Sequence, residues 1–63
     1  MMIKDKDIYI GNKFIGLVNK EIIEIVDIYN SNGLFYVKLK DKKGNYHETL
    51  ISHFMNLQFE RIK

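Results

Sequence analysis

The residue types able to carry chemistry are few in this chain, and their spacing limits each of them. Nucleophilic catalysis needs an activated hydroxyl or thiol with a base beside it. Ser31, Thr49, Ser52, His47 and His53 are the candidates. Ser52 and His53 are adjacent, which points their side chains apart in either regular structure, and Ser52 is expected to serve as a helix N-cap instead. His47 and His53 lie six apart and, with no cysteine in the chain, make a poor metal site. Gly11 and Gly16 lack the Gly-Lys-Ser/Thr continuation of a phosphate-cradling loop and are read as turn glycines. Glu21 and Glu24 fall on an expected strand beside Lys20 rather than in a cleft. No catalytic residue, metal ligand, cofactor or small-molecule substrate is assigned, and the chain is read as a non-enzyme.

Two surface patches remain. Alternate residues of a strand share a face. Tyr36, Lys38 and Lys40, extended by Lys42 and Lys43, therefore interleave aromatic and cationic groups, as stacking and phosphate contact with a nucleic-acid strand require. Three features oppose that reading. Lys38 is expected to face Glu48, the formal net charge is only +2, and Arg61 is the single arginine among ten basic residues. The other patch consists of Tyr9, Tyr29 and Leu34, apolar residues that strand parity sends outward, as in a protein-docking or self-association surface. The expected function is thus a binding or accessory module that engages another protein or a second copy through Tyr9, Tyr29 and Leu34. Nucleic-acid binding through the Lys face is the alternative.

The elements that position these patches follow from β-branching and turn signals. Met1 to Asp7 is charged and reads as a leading arm, with a single domain over residues 8–63. Lys13 to Leu17 is a first strand after a turn at Gly11-Asn12. Between Glu21 and Asn30, the spacing of Ile22, Ile25, Val26 and Tyr29 also fits a helix. The density of Ile and Val favours a strand, since these side chains suit a pleated surface. Inward parity flips between Ile25 and Val26, which predicts a β-bulge. Asn32-Gly33 marks a tight hairpin, and the strand Leu34 to Lys40 puts Phe35, Val37 and Leu39 on one face. Gly44 is the left-handed residue of the next turn, and Tyr46 to Leu50 returns as a strand. One short helical or 3₁₀ turn follows, and a last strand over Phe59 to Ile62 closes the barrel against the first and hides its edges.

This layout of about five antiparallel strands is an all-β, SH3-like small barrel. The stretches "IGNKFIG" and "EIIEIVDIYNSNGLFYVKLKDKKGNYHETLISHFMNLQFERI", ending in Phe54 and Phe59, resemble the small, mostly uncharacterised SH3-like barrel proteins of phages and conjugative elements of low-GC Gram-positive bacteria. The resemblance spans nearly the whole chain but rests on core and turn residues. It implies a fold and a mobile-element origin, and it supplies no catalytic residues.

Composition agrees with a small folded binding module. Sixty-three residues make one domain, and 46% hydrophobic content with four Phe and four Tyr can furnish a core without disulfide or metal. No apolar run reaches the ~18 residues needed to cross a bilayer, and the amino terminus lacks a secretory signal. No membrane association and a cytoplasmic location are therefore expected.

Overall fold

The computed structural model describes residues 3–62. Its elements are a 3₁₀ turn at Asp5–Asp7, then β1 (Lys13–Gly16), β2 (Ile22–Ser31), β3 (Leu34–Asp41), β4 (Tyr46–Leu50), a one-turn helix α1 (Ile51–Phe54) and β5 (Phe59–Arg61). All ladders are antiparallel, in the order β4-β3-β2-β1-β5. This is the SH3-like, all-β arrangement expected from the sequence, with the isoleucine-rich segment extended and not helical.

The long β2 makes the curvature. Its register against β3 slips between Ile25 and Asp27, so Val26 is the extra residue of a bulge. A bulge bends its strand and raises the local twist. The first half of β2 can therefore lie beside β1 while the second half continues only with β3. Ile23 and Ile25 point inward and are buried, and Ile28 packs on the same core after the slip.

Seven apolar residues form the centre: Ile3, Phe14, Ile23, Ile25, Val37, Leu39 and Phe54. Phe14 and Phe54 meet edge to face with ring centroids 5.3 Å apart, and Phe59 lies 6.3 Å from Phe54. The carboxyl-terminal strand pairs with β1 through Phe14–Arg61, Ile15–Glu60 and Gly16–Phe59. Phe59 packs against the core, whereas Ile62 is exposed. The last strand therefore seals the first, as expected. The expected hiding of the edges does not follow, because β4 and β5 are the two ends of the sheet and α1, not a ladder, connects them.

Three local expectations are corrected. Ile3, placed by sequence in a charged leading arm, is buried in the core; Met1 and Met2 lie outside the described residues. Asp7 ties this segment down: its carboxylate accepts from Arg61 Nε at 3.1 Å, and its carbonyl accepts from Asn12 Nδ2 at 2.8 Å. Ser52 does not cap α1, whose N-cap is Leu50 without a side-chain bond. Phe35 shares the parity of Val37 and Leu39 but is 59% exposed, because the hairpin tip projects past the layer that covers its base. Lys20 adopts a left-handed φ of 62°, closing the β1–β2 turn where Lys20 N–H donates to the Gly16 carbonyl. Gly16 leaves room for the Asn19 side chain there. A Cβ would fall 2.1 Å from Asn19 Oδ1, which is held by the Glu21 N–H.

Candidate functional site

The outer face of β2–β3–β4 carries most of the residues singled out by sequence. Cross-strand partners share a face. Tyr29–Tyr36, Ser31–Leu34 and Asp27–Lys38 pair between β2 and β3, while Tyr36–Leu50, Lys38–Glu48 and Lys40–Tyr46 pair between β3 and β4. Tyr29 and Leu34, read as a docking patch, and Tyr36, Lys38 and Lys40, read as a nucleic-acid patch, thus occupy one surface.

Its aromatic groups are fixed in place. The rings of Tyr29 and Tyr36 stack at 5.4 Å with planes 11° apart, and the Tyr29 hydroxyl donates to a Glu48 carboxylate oxygen from the far strand. That bond holds the phenol protonated: the neighbouring carboxylate pushes the Tyr29 pKa from 10.0 up to about 12. Leu34 is 51% exposed at one end of the stack. At the other end the Lys38 ammonium sits 5.0 Å and the Lys40 ammonium 6.0 Å from the ring centre of Tyr46.

Charge on this face is mixed. Lys38 stands between Asp27 and Glu48, and Lys40 stands opposite Glu24, so three carboxylates accompany two lysines. A phosphate backbone approaching the two cations would also meet those acids. The expected cationic stripe is further divided, because Lys42 and Lys43 belong to the β3–β4 turn and not to the sheet face. Together with Lys20, Glu21 and Asp41 they line a cavity of about 260 Å³ between two hairpin turns. Asp41 is occupied in building that turn: it accepts from the N–H groups of Lys43 and Asn45 and from His47 Nε2 at 3.1 Å. Its pKa is lowered, first by the His47 contact and then by those backbone donors.

Tyr9 stands apart from the sheet face. It is 53% exposed in the turn before β1, where its carbonyl accepts from the Asn12 N–H. Lys38 and Glu48 face each other as the sequence indicates, and Tyr46 from the neighbouring strand joins Lys38 and Lys40. Among the described residues no group of three or more His, Cys, Asp or Glu could hold a metal ion, and no helix is long and apolar enough to cross a membrane. Comparison with protein-family models, with curated proteins and with solved structures gives no match.

Proposed function

We propose that this protein is a non-enzymatic binding module whose outer β2–β3–β4 face docks a protein partner through Tyr29, Tyr36 and Leu34. The observation that carries the reading is the locked Tyr29–Tyr36 stack with an exposed leucine beside it, on a face of balanced charge. Rigid tyrosines lose little entropy on binding and are common anchors of protein interfaces. The alternating acids and lysines around them supply a polar rim that suits a partner presenting an apolar anchor flanked by both charge signs. The same acids work against nucleic acid, whose affinity rests on uncompensated cations.

The test compares two kinds of variant. Leu34→Ala and Tyr36→Ala should release the partner recovered with the wild-type protein, whereas Lys42→Glu with Lys43→Glu should keep it. Mixed-sequence oligonucleotides should show no binding at low salt. Oligonucleotide binding that falls steeply with salt and is lost in Lys38→Glu/Lys40→Glu would replace this reading with the nucleic-acid one. A mobile-element origin rests on the sequence resemblance alone, and the genes flanking its own test it.

A further inference from the structure

The ladder leaves one edge of the molecule unfinished. β2 runs for ten residues, but β1 pairs only with Ile22, Ile23 and Glu24. The residues before β1 extend that cover by one step, with Gly11 N–H donating to the Ile25 carbonyl and Ile25 N–H donating to the Asn12 carbonyl, at 2.8 and 2.9 Å. Among the described residues, no strand lies beside β2 from Val26 to Ser31 on the side away from β3.

Which groups face that gap follows from the turn. Asn32 and Gly33, with φ of 54° and 83°, form a two-residue hairpin loop. Such a loop closes on a hydrogen-bonded pair, here Ser31 with Leu34, and pairs alternate from there. Asn30–Phe35 and Ile28–Val37 are then the non-bonded pairs, and the peptide groups of Ile28 and Asn30 turn away from β3. The Ile28 N–H confirms the direction, since its acceptor is the Asp27 carboxylate at 2.9 Å and not β3.

We propose that this edge pairs antiparallel with the same edge of a second copy, about a two-fold axis at Tyr29. In that register Ile28 and Asn30 of one chain exchange N–H and C=O with Asn30 and Ile28 of the other. Tyr29 meets its own symmetry mate, and Asp27 stands opposite Ser31. The two Asp27 carboxylates end up four residues apart along the strands, roughly 13 Å, beyond the screening length of ~8 Å at physiological salt. The lengths also agree: the hairpin tip of one chain arrives beside Val26 of the other, where the 9–12 segment ends the free edge.

Exposed apolar residues choose a second copy over an unrelated strand. Tyr9 and Ile10 (53% and 60% exposed) flank one end of the edge, while Leu34 and Phe35 (51% and 59%) mark the tip at the other end. The two-fold axis carries each tip onto the other chain's 9–11 turn, so both pairs gain cover at once. An isologous contact of this kind is self-limiting, yielding a dimer and no fibre. Asp27 acts as the guard of the edge, because its carboxylate must release the Ile28 N–H before pairing.

Sedimentation equilibrium from about 10 μM to 1 mM tests the proposal, in the range expected for a small interface. Wild-type protein should move from one chain toward two. Against Asn30→Ala, which also loses the side-chain bond to the Gly33 N–H, Asn30→Pro removes an N–H that faces only the gap, which edge strands tolerate. It should weaken association at least tenfold while far-UV circular dichroism stays unchanged. Ile10→Lys, on an exposed turn, should weaken it several-fold, and Asp27→Ala should strengthen it. A chain that remains monomeric at 1 mM, or a dimer indifferent to both Asn30→Pro and Ile10→Lys, overturns the proposal. So does a monomer that captures an added extended peptide along this edge. The outer-face reading is unaffected by either result, since Leu34→Ala and Tyr36→Ala address it at concentrations below dimerisation.

Discussion

The two halves of β2, isoleucine-rich from Ile22 to Ile25 and mostly polar from Asp27 to Ser31, do opposite things. From Ile22 to Ile25 every residue is at least partly covered, with β1 on one side, β3 on the other and the core beneath. From Asp27 to Ser31 the strand has β3 alone, and Asp27, Asn30 and Ser31 are exposed. The change falls at the Val26 bulge. One half buries isoleucines to hold the barrel together, while the other lifts a tyrosine stack and an open edge into solvent. The contrast teaches that in so small a chain one strand can carry both a buried core segment and an open, tyrosine-bearing edge.

The base of that contrast can be broken most severely at Phe54. Its ring is fully buried between Phe14 and Phe59, so Phe54→Ala should cost about 3–5 kcal/mol. A chain of this length has roughly 3–9 kcal/mol in total, and urea titration followed by circular dichroism should show most of it gone. A urea midpoint close to that of wild type would mean that α1 is not part of the core. The tip responds more mildly. Gly33→Ala must hold a φ of 83° without a clash beyond its own Cβ, an expected loss of about 1–2 kcal/mol.

Much of this division is legible in the sequence, and the reasons are local. The parity flip after Ile25 announces the bulge because inward and outward positions alternate strictly in strands, and Asn32-Gly33 announces the tip because few residue pairs accept two positive φ angles. Lys38 opposite Glu48 follows from counting back through the turn at Gly44. What stayed hidden depends on how far neighbours reach. Ile3 leads directly into four charged residues in sequence, yet it is buried, with the Asp7–Arg61 pair holding its segment against the barrel. The two candidate patches look separate in sequence because parity assigns faces to one strand at a time, and only the register of three strands shows Tyr29, Leu34, Tyr36, Lys38 and Lys40 on the same surface.

The tyrosine stack supplies a test by pH with a definite sign. Tyr29 has its pKa raised to about 12 in the folded chain, chiefly by Glu48, from 10.0 for a free tyrosine. Between those values the folded state binds the proton that the unfolded state has lost, so this contribution is fully present below pH 10 and is lost as pH rises toward 12. Phenolate absorbance at 295 nm should reveal one tyrosine titrating near pH 12. Glu48→Gln should bring it back toward 10, leaving the barrel folded at neutral pH. A titration unchanged in Glu48→Gln would mean that the stack, not the carboxylate, restrains the phenol.

The smallest effect is the most pointed. Phe35 has the residue type and the parity of a core position, since it alternates with Val37 and Leu39, both buried. If parity alone decided burial, Phe35→Thr would cost several kcal/mol, as large-to-small core substitutions do. With 59% of its surface in water and a β-branched replacement that suits a strand, the expected change is within about 0.5 kcal/mol, measured by urea unfolding at low micromolar concentration. The dimer proposed above gives this exposed phenylalanine a contact outside the chain. Its replacement should therefore leave the monomer intact and show its effect only in association, at the tip where the strand has already passed beyond its own core.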